Sequence, residues 1–145
     1  MDQAEKEEPP VNVRPAFVSA SIRKTACFGK CPEFTVEFNA SGTATYKGKR
    51  HVKRIGDYTA VLSNQNANLI LQKAQENRFF DMSKTYPVDE KHMVMDFPMT
   101  ITNVKFGRQN KTVTNNSDAP ENLVTFENFL LELSETLKWV QVADE

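Results

Sequence analysis

The sequence predicts an α+β fold, a two-layer sandwich in which a mainly antiparallel sheet is covered on one face by two helices. Segments of alternating apolar and polar residues are joined by short turn sequences, which is typical of hairpins and therefore of antiparallel pairing. Two longer segments repeat apolar residues at helical spacing, and amphipathic helices of this kind bury one side against a sheet. The predicted element order is ββββ-α-ββ-α.

The strands are predicted from alternation alone. In the second of them Phe34, Val36 and Phe38 face one way, and the residues between them are polar. Turn residues at 39–42 connect this strand to the next, and a second hairpin is predicted to turn over residues 107–110. The six predicted strands are 16–24, 33–38, 43–47, part of 51–62, 98–106 and 111–114.

The helices are predicted from their start signals and apolar stripes. Ser63 is a favourable N-cap for a helix that runs to about Arg78. Asp118 is predicted as the N-cap of the second helix, with Pro120 in its first turn and Glu121 at the capping-box position. The stripe of the second helix is apolar, and three glutamates are predicted to lie outside it: Glu127, Glu132 and Glu135.

Length and composition predict one domain. The chain has 145 residues, and we expect a single globular domain over 15–140, after an acidic, proline-containing disordered spacer at 1–14 and before a short tail at 141–145. The net charge of −1 argues against a nucleic-acid partner. No apolar run approaches the roughly 20 residues that span a bilayer. The spacer favours a mature form whose export signal has been removed; the alternative is a cytoplasmic protein.

Both cysteines lie in the segment Thr25–Pro32, between the first two strands. We predict that Cys27 and Cys31 form a disulfide, because Pro32 leads directly into a strand, whereas the copper-binding motif of this spacing opens a helix. A ring of five residues stabilises a fold by only about 2 kcal/mol, so this bond is expected chiefly to shape the loop. A reactive thiol or metal-binding pair, and inert free thiols, remain the alternatives.

A histidine and several methionines occur together in the long segment 81–98. His92, Met93 and Met95 carry groups that suit Cu(I), so they could form a copper site with the two cysteines. The other interpretation is that the methionines fill irregular gaps beneath the loop. We favour the second interpretation and expect no cofactor.

The stretch Lys47–Arg54 contains five fixed positive charges. It is interpreted as a solvated hairpin tip or a charge-protected edge strand, with docking on an acidic protein or membrane surface as the alternative. Catalytic motifs are missing from the sequence, and the carboxylates Asp89, Glu90 and Asp96 are more typical of a solvated loop. We therefore expect no enzymatic activity.

The segment 25–34, with Tyr46-Lys47-Gly48, Phe79-Phe80, Tyr86-Pro87, Asp96-Phe97-Pro98 and Ala119-Pro120, resembles the family called domain of unknown function 6438. The resemblance covers about 16–139, and the family usually has Thr-Asp-Leu-Pro where this chain has Met95-Asp96-Phe97-Pro98. It implies an exported bacterial protein, commonly lipid-anchored, from bacteria of the Bacteroides type. It implies no particular activity.

We therefore expect a non-catalytic ligand-binding or protein-interaction module of the bacterial cell envelope. It would be a monomer in the periplasm or on the outer cell surface, held by a lipid anchor, with an envelope protein or small ligand as partner. A periplasmic thiol-redox or copper-handling protein is the alternative. The predicted binding surface consists of Phe28, Gly29, Lys30, Tyr86, Asp96 and Pro98.

Overall fold

The structure is a computed structural model that describes residues 17–142; of Phe17 and Val18 it gives only their place in a strand. The predicted spacer at 1–14 and residues 143–145 of the predicted tail lie outside the described residues.

Within residues 17–142, the chain forms two α-helices and one sheet of eight strands. The helices are α1 (Asn64–Glu76) and α2 (Glu121–Thr136). The strands are β1 (Phe17–Lys24), β2 (Glu33–Asn39), β3 (Thr43–Arg50), β4 (Gly56–Val61), β5 (Thr85–Tyr86), β6 (Thr100–Phe106), β7 (Gln109–Asn115) and β8 (Val140–Gln141). Their order across the sheet is β5-β7-β6-β1-β2-β3-β4-β8. All neighbours are antiparallel except β5 and β7.

The α+β class and the mainly antiparallel sheet confirm the coarse prediction, but the predicted order ββββ-α-ββ-α is incomplete. It misses β5 and β8, which have two residues each and carry no alternation that a sequence pattern can show. After α2 the chain returns to the sheet, where Val140 and Gln141 pair with Thr59 and Tyr58 of β4. Just before this pairing, the ring of Trp139 packs 5.6 Å from that of Tyr46 in β3. The sheet thus extends to Gln141, one residue beyond the predicted domain end.

The core lies on one face of the sheet. Alternate residues of the central strands point to this face, where both helices contribute apolar side chains. Its largest fully buried members are Phe38, Phe79, Phe126, Ile22, Ile70, Leu123 and Leu130. The opposite face, called the open face below, carries polar residues at the intervening positions of β1, β2, β3 and β6: Ser21, Arg23, Thr35, Glu37, Thr45 and Asn103.

The predicted start of α1 is confirmed, whereas that of α2 is wrong. Ser63 caps α1, and its Oγ accepts a hydrogen bond from the backbone N–H of Asn66 at 3.1 Å. Asp118 does not cap α2; it has φ of +61°, and the helix begins three residues later at Glu121. Proline disfavours the helical conformation in the residue before it, so Ala119 does not begin the helix, and Pro120 occupies the N-cap position in an extended conformation.

The turn between β6 and β7 is also shorter than predicted. It consists of Gly107 and Arg108, because Gln109 pairs with Phe106 as the first residue of β7. The strand predicted over 43–47 continues to Arg50 and includes Gly48, which pairs with Phe34 and Gly56.

Candidate functional site

Cys27 and Cys31 form a disulfide with an S–S distance of 1.99 Å, which confirms the predicted pairing. The bond closes the loop between β1 and β2. Phe28, Gly29 and Lys30 lie in this ring and are all exposed. Gly29 has φ of +146°, a conformation that side chains rarely adopt, so glycine suits this position. The side chain of Phe28 is 91% exposed.

The segment before β6 lies beside the disulfide loop. Since β1 pairs with β6, the chain leaves β1 and enters β6 at the same end of the sheet. The backbone N–H of Thr25 donates to the carbonyl of Met99 at 3.0 Å, and the N–H of Met99 donates to the Thr25 hydroxyl at 2.8 Å. The N–H of Phe28 donates to the carbonyl of Asp96 at 3.4 Å. These bonds join the two loops into one surface.

The side chain of Asn116 holds the segment before β6 in place. Its side chain is buried, and its Oδ1 accepts from the N–H of Val94 at 2.6 Å while its Nδ2 donates to the carbonyl of Val94 at 2.9 Å. Its own N–H donates to the carbonyl of Tyr86 at 2.8 Å. One amide therefore satisfies both backbone groups of a loop residue 22 positions away. No sequence pattern marks Asn116 as the residue that holds this loop.

Five of the six predicted binding residues lie on this surface. Phe28, Gly29, Lys30, Asp96 and Pro98 are exposed on the two joined loops. Two apolar neighbours that the sequence did not single out as partner contacts are also exposed, Met95 at 90% and Phe97 at 49%. We call these seven residues the loop surface.

The sixth predicted residue, Tyr86, is placed differently. It lies in β5 at the edge of the sheet, and its ring packs against the core. Its hydroxyl accepts a hydrogen bond from the N–H of Ser83 at 3.0 Å. Tyr86 therefore orders the start of the long loop and adds nothing to the exposed surface.

The residues of the alternative copper site differ in their exposure to solvent. His92 is exposed at the end of a short 3₁₀ turn, Met93 is half-buried and Met95 is exposed. The sulfurs of Cys27 and Cys31 are bonded to each other. In the part of the chain that the structure describes, no three side chains of histidine, cysteine, aspartate or glutamate are grouped so that they could hold a metal ion.

Glu127 is a further residue whose position differs from the sequence prediction. It was predicted to lie outside the apolar stripe of α2, yet it is only 5% exposed. Both of its carboxylate oxygens accept from Nδ2 of Asn115, at 3.2 and 3.0 Å. Burial raises the pKa of Glu127, while the Asn115 hydrogen bond and the charge of Lys24 oppose that rise. Position 127 faces the polar end of β7, where a carboxyl group finds a donor.

The raised pKa of Glu127 predicts a dependence of stability on pH. A carboxyl group whose pKa is higher in the folded state stabilises the fold below its ordinary pKa, and this contribution is lost as the pH rises through the raised value. Glu127→Gln should therefore gain stability relative to the native protein as the pH rises from the ordinary pKa of a glutamate through the raised pKa of Glu127. Urea unfolding midpoints at a series of pH values would measure the difference.

Glu132→Gln is the matched control, since Glu132 lies on the same helix and is exposed. Its pH profile should run parallel to that of the native protein. A parallel profile for Glu127→Gln as well would contradict the assignment of a buried, perturbed carboxyl group.

No helix within residues 17–142 combines the length and the apolar character needed to span a bilayer. The described chain is an α+β protein whose sheet presents a disulfide-closed loop hydrogen-bonded to a second loop. It belongs to the family described as Domain of unknown function (DUF6438), whose model matches residues 18–134. The comparison with curated proteins gave no match.

Proposed function

We propose that this protein is a non-catalytic interaction module of the bacterial cell envelope that binds a protein partner through its loop surface. The observation that carries the proposal is the exposure of Phe28 and Met95, at 91% and 90%, on two loops that are hydrogen-bonded to each other. Large apolar side chains exposed together on a soluble domain are typical of interaction sites.

The construction of the surface favours tight recognition. The disulfide restricts the loop that carries Phe28, and the Thr25 and Asn116 hydrogen bonds restrict the loop that carries Met95. Binding to an ordered surface costs less conformational entropy than binding to a free loop. An aromatic residue at the centre of such a surface commonly contributes more to affinity than its neighbours. A small ligand remains the alternative occupant.

The cell-envelope location rests on the disulfide and on the resemblance described above. Disulfides persist in oxidising compartments such as the periplasm and the cell surface. We infer that the protein is lipid-anchored, in the periplasm or on the cell surface.

We also propose that the fold is a two-layer sandwich, with both helices on one face of the sheet. The loop surface then lies at one end of the sheet, where a partner has access.

Site-specific photo-cross-linking tests the proposal. A photoreactive phenylalanine analogue replaces Phe28, and in a matched control it replaces Val61, which is 81% exposed. Val61 pairs with Thr43, at the end of the sheet opposite to the disulfide loop. In intact envelopes we expect position 28 to cross-link to one discrete protein and position 61 to give no such product.

The purified partner should then bind the native protein and Val61→Ser equally. It should bind Phe28→Ser more weakly by roughly tenfold or more, as expected for a central aromatic contact. Equal cross-linking from both positions, or undiminished binding of Phe28→Ser, would show that the loop surface is not the interaction site.

A further inference from the structure

A cleft of about 320 Å³ lies where β1, β2 and β3 approach the disulfide loop. Its lining includes four basic residues and one acidic residue: Arg23, Lys24, Lys47, Lys49 and Glu33. Of these, Lys24 occupies a core-side position of β1, in register with Phe34 and Thr100. Thr25, whose hydroxyl is bonded to Met99, lies at the border between this cleft and the loop surface. The interaction proposed above uses none of the four cations.

The charges of the basic stretch are not equivalent in the structure. Lys49 and Arg50 lie 3.6 and 3.2 Å from the Glu33 carboxylate, and Lys53 and Arg54 pair with Glu135 at 3.3 and 3.9 Å. Lys47 belongs to the same stretch, but within residues 17–142 it has no ion pair. These pairings leave Lys47 available for another anion.

The location of Lys47 also corrects one interpretation of the basic stretch. β3 lies between β2 and β4, so the stretch does not protect a sheet edge. Only residues 51–54 belong to the connection between β3 and β4, as a hairpin tip would. Protection of an edge strand against pairing with another sheet therefore does not explain the positive charge of Lys47.

The sheet register places Lys47 close to a second cation. Arg23 pairs with Thr35, and Thr35 pairs with Lys47, so these residues form one row on the open face, which continues to Asp57 of β4. Strands lie about 4.8 Å apart, which puts the backbones of Arg23 and Lys47 roughly 10 Å from each other. Like Lys47, Arg23 has no ion pair within the described residues. Both side chains are long enough to reach an anion placed over Thr35.

A register shift in β3 adds to this arrangement. Phe34 pairs with Gly48 while Glu33 pairs with Arg50, so Lys49 is the extra residue of a bulge. Bulges redirect side chains and occur often beside functional sites. Lys49 lines the cleft and shares the single carboxylate of Glu33 with Arg50. The cations Arg23, Lys47 and Lys49 outnumber the two nearby carboxylates, Glu33 and Asp57, so the cleft has an excess of positive charge.

We propose that this cleft binds an anion carrying phosphate groups. An arginine fork and lysine ammonium groups are the usual donors to phosphate oxygens, and the hydroxyl of Thr35 offers a further donor between them. The volume holds more than a single inorganic ion. The cleft borders the loop surface but shares no residue with it, so the two proposals are tested independently.

Isothermal titration with inorganic pyrophosphate tests the site. We expect one-to-one binding that weakens with salt, and a loss of affinity of roughly tenfold or more in Arg23→Ser/Lys47→Ser. The matched control is Lys105→Ser/Arg108→Ser, which removes the same charge from the β6–β7 hairpin at the other end of the sheet. This control should bind as the native protein does. Lys47→Gln alone provides a milder variant should the double variant fold poorly, and it should also bind more weakly.

Co-sedimentation with vesicles distinguishes the source of the phosphate. Vesicles of phosphatidylcholine with and without phosphatidylglycerol are compared, with the same variants. Binding to the anionic vesicles that requires Arg23 and Lys47 would support the site and assign it to lipid headgroups. Pyrophosphate binding without vesicle binding would support it as a site for soluble phosphate compounds. No binding to either, or equal weakening by the control variant, would overturn the proposal.

Discussion

Gly48→Ala is expected to destabilise the fold by about 3 kcal/mol or more, at the upper end of what overpacking costs. A Cβ atom at this position would lie 1.7 Å from the carbonyl oxygen of Arg54 and 2.9 Å from its carbonyl carbon. It would also lie 2.8 Å from Cε1 of Tyr46, a buried ring. Since the nearest atoms are backbone, the connection between β3 and β4 would have to move away from the sheet.

The free energy of unfolding in urea should be measured for Gly48→Ala and Gly107→Ala. The comparison separates the cost of the steric clash at position 48 from the general cost of replacing a glycine. Gly107 has φ of +60°, and a Cβ atom there would meet nothing within 4 Å beyond its own chain neighbours. Alanine at position 107 should therefore cost only about 1 kcal/mol of backbone strain. Equal losses of unfolding free energy in the two variants would contradict the account of Gly48.

Asn116→Ala is expected to cost about 2 kcal/mol and to loosen the loop that carries Met95. The substitution removes both hydrogen bonds to the backbone of Val94 and leaves those backbone groups without their partner. The loop would keep its contacts to Thr25 and Phe28 at one end only. Amide hydrogen exchange should therefore accelerate in residues 93–99, and partner binding should weaken.

Asn122→Ala is the matched control. Nδ2 of Asn122 donates to the carbonyl of Asn77 at 2.7 Å, which ties α2 to the end of α1 and does not touch the loop surface. It should lower stability without changing exchange in residues 93–99. Unchanged exchange in those residues for Asn116→Ala would show that this amide does not hold the loop.

The main elements of this fold are predictable because their signals are local. The alternation of Phe34, Val36 and Phe38 and the cap at Ser63 depend only on neighbouring residues. The strands β5 and β8 depend instead on distant partners, β7 and β4. Two paired residues carry no period, so sequence reasoning passes over them.

The candidate site was partly predictable for the same reason. The cysteine spacing indicated the loop that presents Phe28, and the length of the segment 81–98 indicated the second loop. The roles of Asn116 and Glu127 arise from contacts across the fold, with Val94 and with Asn115. An isolated asparagine or a glutamate on a helix gives no sign of such a partner.

The central claim is that a disulfide holds the loop surface, which binds through its exposed side chains and contains no reactive thiol. Counting free thiols by intact mass tests this claim most directly. In protein purified without reductant, a thiol alkylator should add no mass, and after strong reduction it should add two alkyl groups, at Cys27 and Cys31. Two alkyl groups on the unreduced protein, together with stoichiometric uptake of Cu(I), would contradict this account and support the thiol-redox or copper-handling alternative.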